Sequence, residues 1–231
     1  MKILKAMIDL VYPPVCYSCS ASSDKALCRE CLRSIRFIED PICLKCGKPV
    51  VREVGDCRDC RSQRMHFSAA RSLAEYDGVV KEAVHAFKYR NARRLADLFA
   101  GLLQENLSDL IEDADIITFV PLRPAKKRQR GYNQAELLAR ALGRRTGKTA
   151  SDTLKAVRFV KDQSKLKAAD RRRNVRDAYA IKKGAEAALK GRKVLLVDDV
   201  FTTGATASEC ASHLAKAGAK EIKVITLART L

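Results

Sequence analysis

The sequence contains no tryptophan, and aromatic residues make up only 6% of its 231 residues. Acidic residues are also scarce, because 27 Asp and Glu stand against 45 Lys and Arg, which leaves a formal net charge of +18. The shortage of aromatic side chains leaves little surface on which nucleobases can stack. The shortage of acids favours polyanionic partners: nucleotides, nucleic acid or an acidic membrane surface.

Long apolar runs are missing as well. No stretch approaches the ~18 apolar residues that a transmembrane helix needs, so we expect no membrane span. Residues 1–11 form a short amphipathic segment interrupted by Lys2, Lys5 and Asp9. This segment lacks the uninterrupted apolar core and the cleavage site of a signal peptide, so we expect a cytoplasmic protein. An apolar content of 47% is enough for one large or two modest globular domains.

Cysteine is concentrated in one part of the chain. Eight of the nine cysteines form four C-x-x-C pairs, which are Cys16/Cys19, Cys28/Cys31, Cys43/Cys46 and Cys57/Cys60. Two such pairs offer four thiolates to one tetrahedral ion, so the four pairs predict two structural Zn²⁺ sites. A disulfide framework is the first alternative, which a cytoplasmic compartment disfavours. Redox chemistry is the second, although it would not need four copies of the motif.

The pairing of the cysteine motifs has two solutions. Sequential pairing, first with second and third with fourth, is favoured because Cys28–Cys31 leads into a helix-like segment. A crossed pairing stays open. We expect residues 1–66 to form a small zinc-bearing module that is unfolded without metal, because this segment has few core aromatics.

From Phe67 onwards the pattern changes to alternating strands and helices. Strands are predicted at 72–76, 116–120, 194–197 and 222–227, and helices at 79–89, 95–107 and 133–145. Asn133 is the predicted cap of the last of these helices, with Glu136 at the third position after it. This alternation predicts a second domain, residues 67–231, of the α/β class with a parallel sheet.

The most informative stretch is residues 194–206, which reads VLLVDDVFTTGAT. Four apolar residues suit a strand buried on both faces, and Asp198 and Asp199 stand where we expect that strand to end. The turn that follows can direct backbone N–H groups and hydroxyls towards a phosphate at a helix N-terminus. Two adjacent carboxylates repel each other unless sugar hydroxyls or a hydrated Mg²⁺ engage them. The alternative is an ordinary turn that the acidic pair caps.

This stretch resembles the phosphoribosyl-pyrophosphate (PRPP) signature of the type I phosphoribosyltransferases. Phe201 is bulkier than the aliphatic residue that most of those enzymes carry there. The resemblance implies that Asp198 and Asp199 contact the ribose hydroxyls, with Mg²⁺ accompanying PRPP. It also implies a loop for the 5′-phosphate, formed by Thr202, Thr203, Gly204, Ala205 and Thr206.

Basic residues cluster upstream of this signature. Residues 121–176 contain 18 Lys and Arg but only 4 Asp and Glu. PRPP could use only a few of these charges, so the surplus suggests single-stranded DNA or another long polyanion. The alternative is a pair of solvated faces. The candidate residues for nucleic acid or for a lid over the cleft are Lys126, Lys127, Arg128, Arg130, Arg158, Gln163, Arg171, Arg172 and Asn174.

The layout as a whole resembles the ComF family. The resemblance is carried by the cysteine pairs, by VPLR at 120–123 leading to RGYNQ at 130–134, by FKY at 87–89 and by the PRPP signature. It implies a double zinc ribbon joined to a type I phosphoribosyltransferase-like domain. It places Leu122 and Arg123 in the pyrophosphate loop and residues 158–173 in a mobile loop.

The same resemblance implies a role in handling single-stranded DNA, with DNA-uptake proteins as further partners. No base-recognition element is identifiable, so we favour a PRPP-binding, DNA-handling protein. The alternative is an active phosphoribosyltransferase with an unidentified acceptor such as a nucleobase. A purely structural zinc adaptor would leave the acidic pair and the threonine turn unexplained. Cys210, His66, His85 and His213 are assigned no role.

Overall fold

The computed structural model describes residues 14–158 and 175–231. The predicted sites Gln163, Arg171, Arg172 and Asn174 therefore lie outside the described residues. The strands in chain order are β1 (Ala69–Glu75), β2 (Ile116–Phe119), β3 (Leu154–Ala156), β4 (Tyr179–Ile181), β5 (Lys193–Phe201) and β6 (Glu221–Arg229). The helices are α1 (Arg29–Arg33), α2 (Arg58–Arg61), α3 (Gly78–Tyr89), α4 (Leu95–Asn106), α5 (Ser108–Glu112), α6 (Pro124–Arg130), α7 (Gln134–Thr146), α8 (Glu186–Leu189) and α9 (Ala205–Lys216).

A parallel sheet in the order β1-β6-β5-β2 forms the centre of the molecule. Residues 194–197 of β5 are buried because helices cover both faces of the sheet, as the continuous apolar run predicts. β3 and β4 form a separate antiparallel pair. The predicted fold class, a parallel α/β sheet with a cysteine-rich module before it, is confirmed.

The predicted elements appear close to their expected positions, with one informative difference. We expected β5 to end before the acidic pair, but it continues through Asp198 and Asp199 to Phe201, paired with β6 throughout. The last part of β5 therefore contains polar residues, and the apolar first half of the same strand holds them in the sheet. Asn133 caps α7 by accepting from the Ala135 N–H at 3.1 Å, whereas Glu136 pairs with Lys127 and Arg140 instead of completing a capping box.

The cysteine-rich segment is joined to the outer edge of the sheet. The Ile38 N–H donates to the Leu73 carbonyl at 3.1 Å, and the Ala70 N–H donates to the Lys45 carbonyl at 2.8 Å. Gly47 lies so close to β1 that a Cβ there would approach the Ala70 carbonyl oxygen to 2.7 Å. These contacts satisfy backbone groups that β1 would otherwise expose as an edge strand.

Candidate functional site

The eight paired cysteines form two Cys₄ zinc-binding sites. Within each, the four sulfurs lie within 4.8 Å of one another. The first cysteine site comprises Cys16, Cys19, Cys28 and Cys31, and the second comprises Cys43, Cys46, Cys57 and Cys60. The sequential pairing is therefore confirmed.

The sulfur geometry fits zinc and not disulfides. The Cys19–Cys28 and Cys46–Cys57 sulfurs are each 3.8 Å apart, and all the cysteines are free. Four ligands about 2.3 Å from a tetrahedral zinc have sulfurs separated by about 3.8 Å. Backbone N–H groups donate to thiols of both sites: Cys28 N–H to Cys16 at 3.4 Å and Cys31 N–H to Cys28 at 3.5 Å in the first, and Cys57 N–H to Cys43 at 3.2 Å in the second. Burial raises the pKa of the Cys16 thiol, but backbone N–H groups of Cys19, Cys28 and Ser18 outweigh it and lower that pKa to about 6.

A cleft of about 690 Å³ opens at the carboxyl ends of the strands, where ligands of parallel sheets bind. β5 contributes Asp198 and Asp199 to one wall. The segment after β2 contributes Leu122 and Arg123 to the other, followed by Lys126 and Arg130 of α6. The fold therefore brings three sets of predicted residues, from the acidic pair, the pyrophosphate loop and the basic cluster, to one cavity.

The turn between β5 and α9 forms the floor of this cleft. Gly204, with φ +74°, occupies the cap position of α9, and Ala205 is the first residue of the helix. Thr202, Gly204, Ala205 and Thr206 line the cleft, whereas Thr203 does not. The Thr203 hydroxyl instead accepts from the Ala205 N–H at 3.4 Å. We call residues 202–206 the phosphate loop, because a 12-residue helix N-terminus directed at a cavity favours an anion there.

The two carboxylates have different surroundings. Asp199 forms an ion pair with Lys88 of α3, at 2.9 Å between Nζ and Oδ2. Burial, together with the charge of Asp199, raises the pKa of Asp198 to about 7. Burial alone would lower the pKa of Lys88, but the Asp199 carboxylate outweighs it and the net shift is upward. Lys88 therefore compensates the charge of one of the two acids directly.

Lys88 is the cleft residue that the sequence reasoning missed. It belongs to the FKY segment, which was noted only as part of the family pattern. It follows Phe87, which is fully buried, near the end of α3, and its side chain is only 19% exposed. The sequence does signal a possible site residue here, because a lysine lies within the otherwise apolar end of a helix. Its partner Asp199, however, lies more than a hundred residues away in the sequence.

Side chains of the RGYNQ segment (130–134) form hydrogen bonds with backbone carbonyls next to the cleft. The Tyr132 hydroxyl donates to the Phe87 carbonyl at 2.6 Å, and the Gln134 amide donates to the same oxygen at 3.0 Å. The Asn133 amide donates to the Val120 carbonyl at 2.9 Å. These three side chains are buried, so they hold the ends of α3 and β2 in place.

A surface of arginine and tyrosine borders the cleft, which we call the basic strip: residues 89–93 together with α6. The Arg130 guanidinium lies over the Tyr89 ring at 5.0 Å, and the Arg93 guanidinium lies over the Tyr132 ring at 4.7 Å. Tyr89 is 58% exposed. Lys127 and Arg128 line a neighbouring cavity, and Arg158 donates to the Arg176 carbonyl at 2.5 Å. Residues 90–94 were not among the predicted site residues.

The structure also bears on predictions made for residues outside the cleft. Cys210 is fully buried, as expected of a small core residue. His213, for which the sequence suggested no acidic partner, lies 3.4 Å from Glu209 one helical turn away. Within residues 14–158 and 175–231, no helix combines the length and the apolar composition that crossing a bilayer requires.

Comparison with known families matches residues 7–61 to the double zinc ribbon domain and residues 128–231 to the phosphoribosyl transferase domain. The chain is 30% identical to DNA utilization protein YhgH of Salmonella typhimurium, over 96% of this chain and 100% of that protein. It is 31% identical to competence protein F of Haemophilus influenzae, over 88% and 90%. A purine phosphoribosyltransferase structure from Pyrococcus horikoshii is 20% identical over 58% of this chain and 83% of that one, with a TM-score of 0.35. The chain belongs to the ComF family, in which a double zinc ribbon precedes a phosphoribosyltransferase domain.

Proposed function

We propose that this protein binds PRPP with Mg²⁺ in the cleft and handles single-stranded DNA in the cytoplasm, during DNA uptake or use. The observation that carries the proposal is the convergence of the acidic pair, the phosphate loop and the Leu122–Arg123 segment on one cavity of about 690 Å³. The names of the relatives, a DNA utilization protein and a competence protein, support the DNA part.

The assignment of PRPP follows from where the charges lie. The 5′-phosphate is placed on the phosphate loop, because helix N-termini stabilise anions there. The ribose hydroxyls then face Asp198 and Asp199, whose ionised carboxylates accept hydrogen bonds from them. The pyrophosphate is directed towards Leu122, Arg123 and Lys126 on the opposite wall. When bound, Mg²⁺ would neutralise phosphate charge, with the acidic pair as its nearest carboxylate oxygens.

Lys88 has a defined part in this assignment. By pairing with Asp199 it holds that carboxylate in the cleft and compensates part of the repulsion between the acids. Hydroxyl donors from the ribose would supply the remaining compensation to Asp198.

The DNA part rests on the basic strip. Within the described part of the chain, no carboxylate forms an ion pair with Arg90, Arg93, Arg128 or Arg130. Tyr89, exposed at the cleft mouth, offers an aromatic face between these charges. Arginine charges interleaved with tyrosine rings are typical of surfaces that follow a single strand by phosphate contact and base stacking. DNA-uptake proteins are the further partners that such a role implies.

One titration tests both halves. PRPP with Mg²⁺ is titrated by calorimetry with and without a single-stranded oligonucleotide, and the DNA affinity is measured from 50 to 300 mM salt. We expect Asp198→Asn with Asp199→Asn to abolish PRPP binding, while Asp97→Asn, on the remote helix α4, preserves it. We expect Arg93→Gln with Arg130→Gln to weaken DNA binding and reduce its salt dependence, while Arg144→Gln has little effect. A DNA affinity that does not change with salt would refute the DNA half.

A second candidate is catalysis of phosphoribosyl transfer. Tyr89 and His85, with ring centroids 4.8 Å apart, lie at the mouth of the cleft where an acceptor base could stack. The reaction would displace pyrophosphate from the ribose C1, with the acceptor atom forming the new bond. It predicts pyrophosphate release with a nucleobase or similar nucleophile, lost in Asp198→Ala with Asp199→Ala. Absence of turnover across a broad acceptor panel would exclude it.

A further inference from the structure

Arg229 is a buried arginine between the second cysteine site and the phosphate loop. It is the last residue of β6 and is only 4% exposed. Its Nη1 donates to the Cys46 carbonyl at 2.5 Å and lies 3.9 Å from the Cys46 sulfur. The neighbour of this guanidinium on one side is therefore a zinc ligand.

The charge of Arg229 is not paired with an acid in the described part of the chain. No carboxylate in the described ranges lies within ion-pair distance of it, and its Nε makes no hydrogen bond there. A buried charge without compensation is strongly destabilising. Four thiolates around one Zn²⁺ carry a net negative charge, so the second site, when it holds zinc, would supply the compensation that Arg229 requires.

The other side of Arg229 faces the floor of the cleft. Its guanidinium lies 5.3 Å from the centre of the Phe201 ring. Phe201 in turn lies directly beneath Gly204, where a Cβ would approach the ring Cζ to 2.6 Å. The backbone of the phosphate loop therefore rests on a ring that is itself stacked on Arg229.

A second connection joins the same two regions. The backbone N–H of His66, six residues after the last cysteine of the second site, donates to the Ser208 hydroxyl at 3.1 Å. That hydroxyl lies 3.5 Å from the Arg64 carbonyl. Ser208 is in the first turn of α9. Residues 64–66, which follow the second site, are therefore hydrogen-bonded to the helix whose N-terminus borders the phosphate loop.

Among the described residues, the first cysteine site has no such connection to the phosphate loop. Its hydrogen bonds to the α/β domain run from Arg94 to the Asp24 carbonyl, from the Glu75 N–H to the Arg36 carbonyl and from the Arg36 guanidinium to Asp77. Cys16 and Cys31 pack in the core cluster that contains α3 and α4. Among the described residues, no hydrogen bond joins the first site to the phosphate loop or to α9.

We propose that Arg229, stacked on Phe201, is a positioning residue that makes the shape of the phosphate loop depend on zinc in the second cysteine site. Zinc in the first site has no such effect on the loop. The link to PRPP affinity rests on the proposed function, whereas the link to loop geometry does not. By reciprocity, whatever occupies the loop also tightens zinc in the second site.

The test compares matched pairs of variants of the full chain. Cys57→Ser and Cys28→Ser each remove the cysteine that precedes the short helix of a ribbon. Arg229→Met and Arg94→Met each remove an arginine that binds a ribbon carbonyl. Amide hydrogen exchange of residues 201–208 is followed by mass spectrometry, zinc stoichiometry is measured, and Mg²⁺–PRPP affinity is measured by calorimetry.

We expect Cys57→Ser and Arg229→Met to accelerate exchange of the loop amides and to weaken PRPP binding about tenfold. Cys28→Ser and Arg94→Met should leave both quantities within twofold of the wild type. If Cys57→Ser does not fold, Arg229→Met decides the matter, because it leaves all eight sulfur ligands in place. Unchanged loop exchange in Arg229→Met, or equal acceleration in Arg94→Met, overturns the proposal. If the wild type fails to bind PRPP while loop exchange still follows the second site, the proposed function fails and this coupling stands.

Discussion

The two cysteine sites have the same motif but different surroundings. In the first, Cys19 is exposed and Cys28 is half-buried, whereas all four cysteines of the second are buried. Cysteines of the second site belong to the same core cluster as Phe67, Phe201 and the first turn of α9. The first site contributes to the cluster on the other face of the sheet, around α3 and α4.

The two sites share the cysteine pattern that binds the metal. They differ in packing, and the packing determines which part of the protein each zinc site stabilises. The first site holds its own ribbon against a helical face. The second also closes the space beneath the cleft, where a flexible side chain in place of Phe201 would support Gly204 less firmly. Substitutions in the two sites, in the phosphate loop and in the acidic pair test this contrast.

Loss of a second-site ligand should cost more stability than loss of the equivalent first-site ligand. Cys57→Ser removes the zinc site and leaves the Arg229 charge buried without compensation, at a cost of about 3–5 kcal/mol. Cys28→Ser should cost at most about half as much, because its site is partly exposed and no buried charge depends on it. Chemical denaturation of the zinc-loaded variants measures both free energies of unfolding. Equal losses would remove the basis of the contrast.

The contact beneath the phosphate loop gives the next largest effect. Gly204→Ala adds a methyl group 2.6 Å from Phe201 at a backbone φ of +74°. Gly147→Ala is the matched control, since its φ is +71° and nothing lies within 4 Å. We expect Gly147→Ala to cost about 1 kcal/mol for the backbone conformation alone, and Gly204→Ala about 2 kcal/mol more.

Combining Gly204→Ala with Phe201→Leu identifies the source of that excess. If the Phe201 ring is the obstacle, the double variant should lose less stability than the sum of the losses of the two single variants. Additive costs would mean that the loop does not rest on Phe201. Thermal and denaturant unfolding of the four proteins provide the measurement.

Local features of the molecule could be predicted from the sequence. The sequential cysteine pairing was the favoured prediction, because Cys28–Cys31 leads into a helix-like segment, and the positions of the sulfurs exclude the crossed pairing that stayed open. The phosphate loop and β5 follow from an apolar run, a hydroxyl-rich turn and a helix in immediate succession. Interactions confined to a short segment leave their pattern in that segment.

Contacts between distant segments could not be predicted. Arg229 and Cys46 lie 183 positions apart, and Lys88 and Asp199 belong to different elements. Their juxtaposition depends on how the sheet, α3 and the ribbon pack together. The continuation of β5 through the acidic pair has the same origin, since its pairing partner is β6, which follows α9.

The pH dependence of stability offers a further test of the difference between the two cysteine sites. The pKa of Asp198 is raised to about 7 in the fold, above the ordinary value of 3.8, so its contribution to stability is lost as pH rises from about 4 to 7. Asp198→Asn should therefore gain stability over the wild type across this range, by about 2 kcal/mol at pH 8. The gain should persist in a Cys28→Ser background and shrink by at least half in Cys57→Ser, where the end of β5 is less well held.

Asp199→Asn is the control for that measurement. It removes the partner of Lys88, so we expect a loss of about 1–3 kcal/mol at pH 8 in place of a gain. Free energies of unfolding between pH 4 and 8 distinguish the two substitutions. A pH-independent difference between Asp198→Asn and the wild type would show that Asp198 does not titrate in this range.

The smallest expected effect comes from an ion pair on the outside of the second ribbon. Lys48 and Asp59 are 2.7 Å apart, and the Asp59 side chain is 56% exposed. The Lys48 hydrogen bond lowers the pKa of Asp59, although burial opposes it, so the contribution is present above pH 4 and lost as pH falls below it. Solvent and salt screen so exposed a pair, so Asp59→Asn should cost only about 0.5 kcal/mol, measured by denaturation in low and high salt.

The same variant separates two explanations of the contrast between the sites. If the loop depends on the route through Arg229 and Phe201, weakening the outer surface of the ribbon leaves loop exchange and PRPP affinity unchanged. If Asp59→Asn accelerates exchange at residues 201–208 as much as Arg229→Met does, the loop depends on the rigidity of the whole ribbon, and no single side chain carries the connection. Because Asp59→Asn leaves every cysteine and Arg229 in place, a difference between the two variants is attributable to the buried contact alone.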